Sequence, residues 1–226
     1  MLLKRVSGGV SMDRVQKRDE NSGTFHIIST GQQTPENLAA ITEQVIPPVD
    51  AIHLREKAWT DKQMIQAIRL LHAKGVPLDK IIINHHAAVA HIMHTKGVQL
   101  THNSVDAATV RRSYSELHIG CSVHSAEEAI YACNQGADYL IFGHVFETRS
   151  KPDLKPMGLE ELRNVVQQVH IPVLAIGGIT AENTPDVMQA GASGIAVLSG
   201  VLLADKPLEK AAAYNTALQK GGERRV

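Results

Sequence analysis

Residues 139–180 read YLIFGHVFETRSKPDLKPMGLEELRNVVQQVHIPVLAIGGIT. The segment opens on an apolar run, YLIF, that passes straight into a turn carrying one histidine, His144. An amphipathic stretch follows from Leu159, and a second apolar run, VLAI, ends in the adjacent glycines Gly177 and Gly178. Apolar runs of four residues bounded by turn residues read as buried strands, and the stretch between them has helical spacing. A strand, a helix and a second strand in this order imply parallel pairing through a right-handed crossover.

The same unit recurs on both sides. Strand candidates are FHIIS (25–29), AIHL (51–54), KIII (80–83), GVQL (97–100), HIGCSV (118–123), YLIF (139–142), VLAI (173–176) and GIAV (194–197). Helices are predicted to start near Pro35, Thr60, Ala87, Val105, Ser125, Leu159, Thr180 and Pro207. Thr34-Pro35 offers an N-cap followed by proline at the first helical position. Ser125 and Glu128 have the spacing of a capping box. Gly75, Gly136 and Gly191 stand where helices should stop. Eight repeats in about 200 residues suit a single (β/α)8 barrel. A doubly wound open sheet is the alternative, but nothing in it would stop the count at eight. Strands enclosed on both faces also explain why KIII and VLAI do not alternate with polar residues.

Lys plus Arg and Asp plus Glu balance at 23 each, which gives no electrostatic case for nucleic acid or an anionic membrane. No apolar run approaches a membrane span. Two cysteines, Cys121 and Cys133, make no disulfide framework and suit a reducing compartment. The N-terminus lacks a signal-peptide core, so a cytoplasmic location is expected. Residues 1–23 are polar and aperiodic and read as a flexible extension, with Met12 a second candidate start; residues 24–226 form the barrel domain.

In such barrels the site lies at the C-terminal ends of the strands, and phosphate often binds between the loops after the seventh and eighth. Here those ends carry Gly177-Gly178 and Ser199-Gly200. Glycines let backbone N–H groups approach an anion, and a helix starting near Val201 adds unpaired donors. The competing reading is that the glycines only make tight turns. His144 follows the sixth strand, at the mouth, where a group titrating near neutrality suits proton transfer. Alternation places His53, Arg55 and Lys57 on one side of the second strand. Arg55 and Lys57 either take a second anionic group or pair internally with a carboxylate such as Glu56. Asn84 lies beside them, and Thr148 and Lys151 lie in the loop after the sixth strand. His85 and His102 each follow a strand end and are further ligand candidates. His91 and His94 share a helical face, but no cysteine or carboxylate stands at ligand spacing beside them.

The segments HLREK (53–57), IIINHH (81–86), GADYLIFGHVFETRSKPD (136–153), IPVLAIGGIT (171–180) and AGASGIAVLSGV (190–201) resemble the thiamine phosphate synthase superfamily. The likeness covers about residues 25–203 and is nearer to its thiazole tautomerase branch (TenI). Synthases of this superfamily join a pyrimidine pyrophosphate to a thiazole phosphate. They hold magnesium through an aspartate after the third-strand asparagine and another after the fourth strand. The corresponding residues here are His85 and Ser104, and His144 replaces a proline, as in the tautomerases. The resemblance therefore implies an isomerase, a thiazole tautomerase, with His144 as the catalytic residue and a phosphorylated thiazole as substrate. It implies Arg55, Lys57, Asn84, Thr148 and Lys151 as substrate contacts and Gly177, Gly178, Ser199 and Gly200 as the phosphate site. No cofactor and no metal are expected; the sequence leaves the oligomeric state open, with a homodimer one candidate because many barrels of this kind pair. The alternatives are a thiamine phosphate synthase and a non-catalytic regulator that binds a phosphorylated ligand.

Overall fold

The structure is a computed structural model that describes residues 23–148 and 152–223. The predicted flexible extension, apart from Gly23, lies outside the described residues. Eight parallel strands close into a barrel in chain order, β1 (Thr24–Ile28), β2 (Ala51–Leu54), β3 (Ile81–Asn84), β4 (Gly97–Leu100), β5 (His118–Val123), β6 (Tyr139–Gly143), β7 (Val173–Ile176) and β8 (Gly194–Val197). The ring is sealed by β8 against β1, with Phe25 opposite Ile195 and Ile27 opposite Val197. This is the (β/α)8 barrel expected from the repeat, not the open sheet.

Alternation along each strand sorts the side chains into two buried sets. Phe25, Ile27, Ile52, Leu54, Ile81, Ile83, Val98, Leu100 and Ile119 pack outward against the helices. Ile28, Ala51, Ile82, Tyr139, Ile141, Leu174 and Ala196 fill the barrel itself. Because both faces are buried, the strands are mostly apolar. The interior also holds polar groups. His26 Nδ1 lies 2.9 Å from His53 Nε2, and the Tyr139 hydroxyl donates to Gln99 Oε1 at 2.7 Å.

The helices are α1 (Pro35–Val45), α2 (Asp61–Ala73), α3 (Ala87–Ile92), α4 (Ala107–Ser113), α5 (Ala126–Asn134), α6 (Gly158–Gln168), α7 (Thr184–Gln189), α8 (Ser199–Leu202) and α9 (Pro207–Glu223). Thr34 caps α1 through Asn37 N, as its spacing predicts. Thr60 and Gln63 form a complete capping box on α2. At α5 only half of the predicted box exists. Ser125 accepts from Glu128 N, but the Glu128 carboxylate accepts from His124 N at 2.7 Å instead of closing back on Ser125.

Three local expectations are corrected. Lys80 is not a strand residue; it ends a single 3₁₀ turn, and its ammonium donates to Val49 O at 2.7 Å and Ile46 O at 3.3 Å. The helix expected from Thr180 starts four residues later, because Thr180 and Asn183 hydrogen-bond each other's backbone in a turn of their own. His91 and His94 do not share a helical face: α3 ends at Ile92 and His94 has φ 51°, while His91 pairs with Glu116.

Candidate active site

The C-terminal strand ends gather the predicted residues at one rim, from Arg55 after β2 round to Ser199 after β8. Gly177 and Gly178 both lie in the left-handed region, at φ 95° and 65°. A Cβ on Gly177 would sit 2.2 Å from His144 Cβ, and one on Gly178 would sit 2.4 Å from Glu147 O. These two positions therefore need glycine both for conformation and for space. The close approach arises because pairing continues past the strands: Val145 N donates to Ile176 O at 2.9 Å and Phe146 N to Gly177 O at 3.0 Å. The seventh turn is also braced by Asn183 Nδ2, which donates to Gly178 O at 3.0 Å.

The eighth turn presents Ser199, which is exposed at the start of α8. Gly200 behind it is packed so closely on α9 that a Cβ would meet the Tyr214 hydroxyl at 2.5 Å. That hydroxyl donates to Ile179 O at 2.9 Å. One buried tyrosine thus holds the turns after β7 and β8 together. Sequence reading missed Tyr214, because a single tyrosine on an amphipathic helix, 35 residues from its partner, carries no local signal.

His144 lies directly behind Gly177 and is 4% exposed. Its Nε2 is 3.0 Å from Leu154 O; a carbonyl only accepts, so Nε2 carries the proton. Nδ1 is buried without a partner among the described residues. The ring is therefore tied to the loop after β6, which closes further through Met157 N to His144 O (3.0 Å) and Gly158 N to Val145 O (2.9 Å). Thr148 lines an outer cleft of about 550 Å³ with Asp153 and Leu154. Lys151 lies outside the described residues.

On the opposite side of the mouth, Arg55 is half-buried and Lys57 exposed. Glu56 is buried and turns away, accepting from Gly31 N at 3.3 Å, and no ion pair joins it to Arg55 or Lys57 among the described residues. Burial raises the Glu56 pKa, opposed by hydrogen bonds from Ser29 and Gly31 and by the Arg55 charge. Asn84 ends β3 almost fully buried, and its Oδ1 has no partner among the described residues. Beneath it His53 is fully buried and its pKa is lowered to about 3, first by desolvation and then by Lys96, partly offset by Asn84.

His85 and Ser104, which come from loops 19 residues apart, meet at the rim with Nδ1 and Oγ 2.8 Å apart. Ser104 Oγ also accepts from Thr101 N at 3.0 Å. His85 has φ 68°, a conformation that His, Asn and Asp tolerate better than most residues. Its pKa is lowered, first by partial burial and then by the charges of His86, Arg55, Lys57 and His102. This pair does not fit a magnesium ion. A hard cation needs charged oxygen ligands, and the pair offers one neutral hydroxyl and an imidazole. Nearby carboxylates are committed elsewhere: Asp106 caps α4 through Thr109 N at 2.6 Å, and Asp61 pairs with His86 at 2.8 Å. Among the described residues no group of three or more His, Cys, Asp or Glu side chains is placed to hold a metal. Among them, too, no helix is long and apolar enough to cross a membrane.

The chain matches known proteins over the whole barrel. Residues 25–201 fit the family model for thiamine monophosphate synthase. A thiamine-phosphate synthase of Chloroflexus aurantiacus is 40% identical over 172 residues, covering 74% of this chain and 78% of the relative. One from Pyrococcus furiosus is 34% identical over 186 residues, covering 82% and 89%. The solved thiamine phosphate pyrophosphorylase of Pyrococcus furiosus superposes with a TM-score of 0.77 at 30% identity, over 89% of this chain and 98% of that one. These relatives overturn the tautomerase, and with it the isomerase, expected from His144: at this level of identity they are named synthases. The structure supplies the physical reason, since His144 is only 4% exposed and its ring is bonded through Nε2 to Leu154 O. The chain belongs to the thiamine monophosphate synthase family.

Proposed function

We propose that this protein is a thiamine phosphate synthase, joining a pyrimidine that carries a diphosphate to a thiazole phosphate. The observation that supports it most is identity of 34–40% to named synthases across the barrel that carries the mouth. In the reaction a bond from the pyrimidine methylene carbon to the diphosphate oxygen breaks, and the diphosphate leaves with the electron pair. The thiazole ring supplies the electron pair for the new bond. No proton transfer is needed, which agrees with a His144 that is structurally engaged.

The thiazole phosphate is assigned to the turns of Gly177, Gly178, Ser199 and Gly200, where backbone N–H groups can approach an anion. Thr148 and Lys151 are assigned to the same substrate from the loop after β6. Arg55 and Lys57 face the leaving diphosphate, whose negative charge grows as the bond breaks, so they stabilise the transition state more than the ground state. Asn84 is assigned to the pyrimidine from its place at the mouth end of β3. His144 is a positioning residue that holds the loop after β6 against the phosphate turns.

Incubation with both substrates should give one thiamine phosphate and one diphosphate per turnover by mass spectrometry. Arg55→Gln should lower kcat/KM about 100-fold or more, as expected for loss of a cation facing developing charge. Unchanged turnover in that variant would remove Arg55 from the assignment, and absence of product in the unmodified protein would remove the function.

A further inference from the structure

Among the described residues, no group of three or more His, Cys, Asp or Glu side chains at the mouth opposite the phosphate turns is placed to hold a metal. Four basic groups, Arg55, Lys57, His86 and His102, lie close enough to His85 for their charges to act on it. The carboxylate nearest Ser104 along the chain, Asp106, is engaged in capping α4 through Thr109 N at 2.6 Å. A carboxylate at position 85 or 104 would repel a diphosphate unless a cation lay between them. The residues present do the reverse. His85 and Ser104 share one hydrogen bond, and Ser104 Oγ already accepts from Thr101 N. If Ser104 donates to Nδ1, His85 Nε2–H stays uncommitted; if Nδ1–H donates, the Ser104 hydroxyl does. Either proton placement leaves one donor for an anion.

We propose that this side of the mouth binds a diphosphate directly, through Arg55, Lys57, His85 and Ser104, with no bridging divalent cation. The inference rests on the synthase reading for the identity of the anion, but its chemistry is separable from turnover. Two cationic side chains and a neutral donor pair replace the charge of a metal and the carboxylates that would hold it.

The test uses the full chain, inorganic pyrophosphate and titration calorimetry in EDTA. One pyrophosphate should bind per chain in EDTA, and added Mg²⁺ should not tighten it. His85→Ala should weaken binding in EDTA about tenfold, the effect of losing a donor to a charged group. Mn²⁺ alone, followed by its free-ion electron paramagnetic resonance signal, should remain unbound. The double variant His85→Asp with Ser104→Asp should bind Mn²⁺ and need a metal for pyrophosphate; aspartate also tolerates the left-handed backbone at position 85. Pyrophosphate binding that appears only with Mg²⁺, no pyrophosphate binding under either condition, or one Mn²⁺ held per unmodified chain would each overturn the proposal, whatever the variant does. Product formed only with Mg²⁺ would likewise sink it while leaving the synthase reading standing. Pyrophosphate binding in EDTA without product from both substrates would do the opposite.

Discussion

At the level of single residues, Gly177 has no space for a methyl group. The steric contact at 2.2 Å with His144 Cβ adds to the cost of a left-handed φ of 95°. Gly177→Ala should therefore lower folding stability by about 2–4 kcal/mol in urea denaturation, with weaker binding of thiazole phosphate. His53 sets a pH dependence. Its folded pKa of about 3 lies below the ordinary 6.5, so the unfolded chain binds the extra proton. The stability it contributes is present above pH 6.5 and drains away as pH falls towards about 3. Between pH 7 and 5 this group alone should remove on the order of 2 kcal/mol, and His53→Gln should flatten that slope. His26, lowered by its own burial and then by His53, leaves a residual slope of the same sign. Residue types at the mouth were legible in the sequence, because strand ends place Arg55, Asn84 and Ser199 without further information. The engagement of His144 was not. Its partner is the backbone of Leu154, and no side-chain pattern encodes a carbonyl contact.

At the level of elements, the strands were readable almost to the residue, since four-residue apolar runs between turn residues leave little choice of boundary. AIHL, GVQL, HIGCSV, VLAI and GIAV match β2, β4, β5, β7 and β8 end for end. Helix starts were readable where one side chain caps locally, as at Thr34 and Thr60. They failed where two polar residues satisfied each other first. Thr180 and Asn183 spend their hydrogen bonds in a turn, so α7 begins only at Thr184. The box at Thr60 is complete, and the one at Ser125 is half-formed. Thr60→Ala should cost about 1 kcal/mol in the denaturation midpoint. Ser125→Ala should cost less, because Glu128 keeps its bond to His124 N.

At the level of the whole molecule, the chain's last helix completes the site that the seventh and eighth strands begin. Tyr214 on α9 packs on Phe25 of β1 with ring centroids 5.6 Å apart and reaches Ile179 O and the Gly200 backbone. Tyr214→Phe keeps the packing but loses the hydroxyl. It should raise KM for the thiazole phosphate several-fold with kcat little changed, and cost about 1 kcal/mol of stability. The closed barrel brings the turns after β7 and β8 and the Arg55–Lys57 side of the mouth to the same rim; under the proposed function this would let two anionic substrates be held at once, making the reaction one of placement. The claim that the two substrates are joined is tested most directly by following diphosphate release with and without thiazole phosphate. The account predicts steady release only when both substrates are present, matched by thiamine phosphate formed. No release with both present at saturating concentration would contradict it.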